Sequence, residues 1–174
     1  MSDRQMTKAD WAAKREAARV AGQRRWEEVE RPRWKAAVRA EVEQRGLAGF
    51  MNNTRWQALV DAVYARLPFP PGFQLKSVSR ESDPAPDVEA VPYWGAWSEL
   101  EPYFDIEWLR VVPRCRKHRG RLVADEVVDC TDAFRTLLQE LRIPYREDEA
   151  RTFWIYGYAA ADPATLTSPP EEPT

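Results

Sequence analysis

The stretch VVPRCRKHRGRLV, residues 111–123, holds the side chains best suited to chemistry. It combines the only histidine, His118, with Cys115, one of two cysteines in the chain. Five cations surround them: Arg114, Arg116, Lys117, Arg119 and Arg121. Cysteine and histidine are zinc ligands, and nearby cations lower the pKa of a thiol. The stretch therefore suggests a metal site or a reactive cysteine.

The strands predicted around this stretch argue against a zinc site. Residues 106–112 and 121–128 alternate in polarity and are predicted to pair as an antiparallel hairpin, with His118 in an exposed turn. At about 3.3 Å per residue, Cys130 would then lie roughly 30 Å from Cys115, too far for shared ligation or a disulfide. A phosphate-binding loop needs several glycines, and only Gly120 is present. We predict an exposed basic turn, with no metal, no cofactor and no catalytic residue.

Carboxylates near residue 130 could in principle perform acid–base catalysis. Asp125, Glu126, Asp129 and Asp132 cluster where a predicted strand meets a predicted helix. Asp129 and Asp132 stand where helix-capping residues usually stand, so a structural role is favoured. An enzyme remains the less favoured reading.

An acidic aromatic segment, residues 87–107, is the better candidate for a binding surface. Tyrosines and tryptophans alternate there with carboxylates, a combination that suits recognition of a basic protein partner. The candidate partner-binding residues are Trp94, Trp97, Glu99, Glu101, Tyr103 and Asp105. The alternative is that these rings pack over the edge of the sheet. The favoured function is a non-catalytic protein-binding module, such as an inhibitor or immunity-type factor.

Basic residues near the N-terminus suggest an alternative function. Residues 1–50 carry twelve Lys and Arg against eight Asp and Glu. A nucleic-acid-associated module would use these helices with the basic turn, through Arg15, Arg19, Arg24, Arg25, Arg114, Arg116, Lys117 and Arg119. Interspersed glutamates and the net charge of −2 weigh against it.

The predicted elements place these candidates on an α+β domain. Two helices are expected before Gly46, separated at Pro32, and a third is capped by Thr54 and followed by Pro68. Strands follow at 73–78 and 106–112, then a helix from Thr131 and a final hairpin from 143 to 158. Helices followed by a mostly antiparallel sheet, with one helix inserted before the last hairpin, define the class.

The length and composition of the chain fit one domain with appended segments. The 174 residues include 44% apolar and 31% charged residues, and no segment approaches the length of a membrane span. The predicted organisation is a helical extension over 1–50, an α+β domain over 51–158 and a disordered tail over 159–174. The polar N-terminus has no secretory signal pattern, so a cytoplasmic location is expected.

Four short motifs resemble an uncharacterised family of small bacterial proteins, a domain of unknown function. They are MNNTRW at 51–56, IEWL at 106–109, IPY at 143–145 and IYGY at 155–158. The family opens on Met-Asn-Asn-Thr-Lys-Trp, so Arg55 stands where lysine is expected, which keeps the charge and alters the donor geometry. The resemblance covers about residues 51–158 and implies no activity, cofactor or site residue.

Overall fold

The computed structural model describes residues 8–79, 96–119 and 124–160. Several predictions lie outside these residues: Thr7 as a cap, most of the polar loop after Ser79, Trp94, the start of the strand at 121–128, and the tail from 161. Among the described helices, none is both long and apolar enough to cross a membrane.

The N-terminal helices form one continuous rod instead of two separate helices. Helix α1 (Lys8–Arg25) runs through a π-helical segment (Trp26–Glu30) into α2 (Arg31–Gln44). The N–H of Arg31 donates to the carbonyl of Trp26, five residues earlier. Because proline has no N–H and its ring crowds the preceding turn, this widened turn lets Pro32 enter without breaking the helix.

Only the second half of this rod packs on the domain. All side chains from 12 to 33 are exposed, whereas Val38 is buried. Trp34 meets the ring of Phe104 edge-on at 5.3 Å and donates to Ser79 Oγ at 3.0 Å. The rod ends before Gly46, whose φ of 63° is a backbone conformation that glycine adopts readily. The chain therefore docks through α2, and residues 12–25 of α1 are exposed to solvent.

A four-stranded antiparallel sheet forms the centre of the domain. Its strands are β2 (Gly72–Ser77), β3 (Ile106–Val112), β6 (Tyr145–Glu147) and β7 (Phe153–Tyr156), in the order β2-β3-β7-β6. Helices α3 (Asn53–Arg66) and α4 (Thr131–Glu140) bury their apolar faces with Leu109, Val111 and Ile155 of the sheet. The predicted α+β class and the final hairpin, β6 with β7, are confirmed.

Two short ribbons flank the central sheet. One pairs β1 (Leu47–Gly49) with β8 (Tyr158–Ala160), and the other pairs β4 (Arg114–Lys117) with β5 (Glu126–Asp129). The β1–β8 pairing was not predicted, because three-residue strands have too little periodicity to be detected. It joins the chain immediately before α3 to the end of the domain.

The predicted pairing of 106–112 with 121–128 is wrong. Strand β3 lies between β2 and β7, with Leu109 opposite Leu75 on one side and Ile155 on the other. Pro113 ends β3 because proline donates no ladder hydrogen bond. The chain then starts a separate ribbon in which β5 pairs with β4.

The cap of α3 lies two residues before the predicted one, whereas α4 begins at the predicted residue. Asn52, not Thr54, caps α3, with its side chain accepting the N–H of Arg55 at 2.9 Å. Helix α4 begins at Thr131, and Asp129 accepts the N–H of Thr131 at 2.7 Å. Asp129 therefore has the structural role that its position indicated.

Candidate functional site

The acidic aromatic segment divides into buried aromatic anchors and exposed carboxylates. Trp97 is completely buried, and its Nε1 donates to the carbonyl of Pro71 at 2.7 Å. Its ring meets Phe73 and Phe134 edge-on, at centroid distances of 5.1 and 6.4 Å. The expectation that Trp97 forms part of a surface is corrected, because the indole fills the space between β2 and α4.

Asp105 is also buried, and it joins the end of β2 to the start of β3 through hydrogen bonds. Its two carboxylate oxygens accept the N–H and the hydroxyl of Ser79, at 3.0 and 2.9 Å. The backbone N–H of Val78 donates to the Asp105 carbonyl at 2.8 Å. These bonds fasten the end of β2 to the start of β3, so this carboxylate does not face a partner.

Glu99 and Glu101 remain exposed, and Glu101 borders a groove. The groove has a volume of about 500 Å³ and runs between α3 and the chain that precedes β3. Its lining includes Asp61 and Gln57 of α3 and Tyr103. Two carboxylates, Asp61 and Glu101, therefore converge on one depression.

A chain of hydrogen bonds orients the polar groups of this groove. The hydroxyl of Tyr103 donates to Gln57 Oε1 at 3.0 Å, and Gln57 Nε2 donates to Asp61 Oδ1 at 2.9 Å. The Tyr103 ring is buried and stacks on Trp56 at 6.3 Å. Tyr103 thus contributes a fixed hydroxyl to the groove, although its ring belongs to the core.

The field in the groove is negative. Burial raises the pKa of Tyr103, and the charges of Glu101 and Asp61 raise it further because they disfavour a phenolate. Within the described part of the chain, no lysine or arginine forms an ion pair with Asp61, Glu99 or Glu101. The groove therefore favours a cation over an anion.

Asp61 and Gln57 were missed in the sequence, although a signal was present. They are four residues apart on a helix, a spacing that places both side chains on one face. That this polar face meets Glu101 depends on how the segment after residue 96 folds over α3. Sequence spacing carries no information about that meeting.

The basic N-terminal residues are largely paired with neighbouring glutamates. Arg19 binds Glu16 through two bonds of 2.7 and 2.9 Å. Arg25 lies 3.0 Å from Glu30, and Arg24 lies 3.9 Å from Glu28. These local pairs reduce the positive field that phosphates would meet, while Arg15 lies exposed on the same helix. Nucleic-acid binding stays a prediction.

The predicted basic turn is in part a strand, because residues 114–117 form β4, and its side chains have acidic partners in and just before β5. His118 Nδ1 lies 3.0 Å from Asp125, and Arg119 bonds Glu126 at 2.5 Å. Arg114 donates to the carbonyl of Ala150 at 2.9 Å. Arg116 and Lys117 are exposed on β4.

The two cysteines lie in one buried cluster, contrary to the predicted separation of about 30 Å. Cys115 and Cys130 pack together with Phe69 and Val128, and both are free thiols. They meet because Cys115 pairs with Val128 in the β4–β5 ribbon, and Cys130 follows two residues later. Among the described residues, no group of three or more His, Cys, Asp or Glu has the arrangement to hold a metal ion.

Burial keeps both thiols in the protonated, unreactive form at neutral pH. It raises the pKa of Cys115, and the opposing effect of Lys117 is smaller. Burial, with the nearby charge of Asp129, raises the pKa of Cys130 to about 12. The expectation that the basic turn could lower the pKa of Cys115 is corrected, because its sulfur lies beneath the ribbon.

Comparison with known families agrees with the motifs in the sequence. Residues 38–162 match the model of a family of unknown function, DUF6678. The chain belongs to this family. The match begins inside α2 and extends beyond β8, so it includes both strands of the β1–β8 ribbon. No curated protein and no solved structure matches the chain.

Proposed function

We propose that this member of DUF6678 is a non-catalytic protein-binding module that uses the groove between α3 and residues 101–103. The observation that carries the proposal is the convergence of Asp61 and Glu101 on this groove, where no cation of the described chain pairs with them. Both carboxylates can therefore accept hydrogen bonds from a cation supplied by a partner. The partner presents a lysine or arginine side chain here.

The groove offers more to such a side chain than charge alone. Ala58 supplies an apolar contact for the aliphatic stem, while Glu101 and Asp61 accept from its charged end. Because Gln57 is already bonded to Tyr103 and Asp61, these groups are oriented before binding. Preorganised acceptors reduce the entropy lost on association.

The type of partner follows from this chemistry. A basic surface loop fits the groove, as expected if the protein acts as an inhibitor or immunity-type factor in the cytoplasm. Glu99 lies on the same chain segment and extends the acidic surface, which accelerates encounter with a basic protein.

Charge reversal in the groove tests the proposal. Tagged wild-type protein, Glu101→Lys and Glu149→Lys are used to recover partners from native cells, and bound proteins are quantified. Glu149 is exposed in the β6–β7 turn, so its variant changes net charge equally at another site. We expect one protein to be lost by Glu101→Lys and retained by Glu149→Lys. Its association rate with wild type should fall as salt rises.

The proposal fails if every recovered protein binds Glu101→Lys as well as it binds wild type. It also fails if Glu149→Lys causes the same loss, since net charge rather than the groove would then be responsible. A double variant, Asp61→Asn with Glu101→Gln, removes charge without reversing it and should weaken binding less than Glu101→Lys.

A further inference from the structure

The face of the central sheet opposite α3 and α4 carries cations and aromatic rings. Alternation along β3 places Leu109 and Val111 in the core and turns the residues between them to the other face. Register then aligns the rows across the sheet. One row is Gln74, Arg110, Trp154 and Arg146, and the next is Lys76, Trp108 and Tyr156.

Trp154 is held between the two arginines of its row. The guanidinium carbons of Arg110 and Arg146 each lie 5.6 Å from the centroid of its indole. The two charges can therefore be no farther apart than twice that distance. Trp108 meets Trp154 edge-on at 5.0 Å, and Trp154 Nε1 donates to Asp148 at 3.2 Å. The indole is a fixed spacer between two cations.

Several donors on this face lack acceptors. Trp108 Nε1, Arg110 Nε, and both Nε and Nη2 of Arg146 are buried without a hydrogen-bond partner among the described residues. The hydroxyl of Tyr156 is also buried and has no partner at hydrogen-bond geometry in the described part of the chain. Burial raises the pKa of Tyr156, and the charge of Arg146 and its approach to this hydroxyl as a hydrogen-bond donor oppose that rise. Neither arginine forms an ion pair with a described carboxylate. Lys76 pairs with Glu107 at 3.3 Å and Asp148 accepts from Trp154, so the charges on this face without a described acidic partner are those of Arg110 and Arg146.

Arg135 shows what the edge of a guanidinium formed by Nε and Nη2 binds in this protein. Arg135 directs Nε and Nη2 at the two oxygens of Glu147, at 2.8 and 2.6 Å. Arg146 presents the same pair of nitrogens with no acceptor among the described residues. Buried hydrogen-bond donors and buried charges lower the free energy of unfolding unless they are paired. An anion bound to Arg146 would supply the missing acceptor and restore that stability.

We propose that this sheet face binds a phosphate group, held by Arg146 and Arg110 with Trp108 Nε1 as a third source of N–H. Two cations match the charge of a phosphate, which is about −1.5 to −2 at neutral pH, better than the single charge of a carboxylate. The Nε/Nη2 edge of Arg146 matches two phosphate oxygens, and a third oxygen faces Arg110. Arg110, Arg146 and Trp154 are half-exposed, so the phosphate enters from their side.

This site is independent of the acidic groove. The groove is lined by α3 and the segment before β3, whereas the phosphate site is on the opposite face of the sheet. Their charges are opposite, and their ligands therefore differ.

Titration of the full chain with inorganic phosphate tests the proposal. Ionic strength is held constant with sodium chloride, and binding is followed by tryptophan fluorescence and by the arginine Nε–H signals in NMR spectra. Phosphate should give a saturable response in the Nε–H signals of Arg146 and Arg110. Acetate at equal ionic strength serves as the carboxylate arm and should bind at least about tenfold more weakly. The absence of saturation with phosphate, or an equal response to acetate, overturns the proposal.

Charge-conserving variants locate the site. Arg146→Lys keeps the charge and removes the paired donors, so phosphate affinity should fall by about tenfold, the loss expected for one bidentate contact. Arg142→Lys, at an exposed position just after α4, is the matched control and should bind like wild type. Equal affinity of these two variants overturns the proposal. If Arg146→Lys does not fold, the test rests on the phosphate affinity of Arg110→Lys and on the comparison of phosphate with acetate in the wild-type protein. Glu101→Lys, which changes the acidic groove, should leave phosphate affinity unchanged.

Discussion

Gly157, in the IYGY motif, occupies a position where the fold leaves no room for a side chain. A Cβ built on Gly157 would lie 2.0 Å from the carbonyl oxygen of Ile106 and 3.1 Å from its carbonyl carbon. Even close carbon–oxygen contacts between strands are about 3.3 Å long. Gly157→Ala therefore forces the two backbones apart by about 1 Å.

The surrounding backbone resists that movement. The N–H of Gly157 donates to the carbonyl of Glu107 at 2.8 Å, and the N–H of Phe50 donates to the carbonyl of Gly157 at 2.9 Å. Each such bond contributes about 1 kcal/mol, and overpacking of a close contact costs about 1–3 kcal/mol. The smaller flexibility of alanine in the unfolded chain offsets less than about 1 kcal/mol. We expect Gly157→Ala to lower the free energy of unfolding by about 3 kcal/mol.

Urea unfolding followed by tryptophan fluorescence measures this loss. With a denaturant dependence of about 2 kcal/mol per molar urea, the midpoint should fall by about 1.5 M. Gly49→Ala is the control, because its Cβ would lie 3.7 Å from the Tyr158 ring, an ordinary contact. Its midpoint should stay within about 0.3 M of wild type. A wild-type midpoint for Gly157→Ala, or equal losses in both variants, would refute the steric argument.

Three further predictions follow from single contacts. The pKa of Glu147 is lowered, mainly by its hydrogen bonds with Arg135. The ion pair therefore stabilises the fold at pH values above 4.5, the ordinary pKa of glutamate, and this stabilisation is lost as the pH falls and Glu147 is protonated. Glu147→Gln should have a lower urea midpoint than wild type at pH 7 and the same midpoint near pH 2. Burial raises the pKa values of Cys115 and Cys130, so both thiols are protonated at pH 8 in the folded protein. A thiol reagent at pH 8 should label neither cysteine in the native protein and should label both cysteines in urea. Rapid labelling of the native protein would contradict their burial. Asn52→Ala should cost about 1 kcal/mol in urea unfolding and Asn52→Asp much less, whereas equal losses would argue against the cap.

Local patterns in the chain were sufficient to predict the elements with one strongly periodic face. The helix around Trp56 and Leu59 and the helix around Phe134 and Leu138 were placed correctly because their apolar residues recur at helical spacing. The alternation in 106–112 predicted β3, and the final hairpin was recognised for the same reason. These features depend on residues close together in the sequence.

The partners of those elements were decided only by tertiary packing. Alternation shows which face of β3 is buried, but it is equally compatible with a neighbour at 121–128 or at β2 and β7. The location of the cysteines followed from that choice, so the error in pairing predicted a separation of roughly 30 Å for two residues that share one buried cluster.

The sequence by itself determined the α+β class, the helices and strands with clear periodicity, and the acidic character of residues 87–107. The tertiary structure decided which acidic and aromatic residues are accessible: Trp97 and Asp105 became part of the interior, while Glu101 met Asp61 in a groove. It also brought Arg110 and Arg146 to the same indole. The physical reason is that periodicity reports one face of one element, whereas a site requires side chains from distant segments to meet.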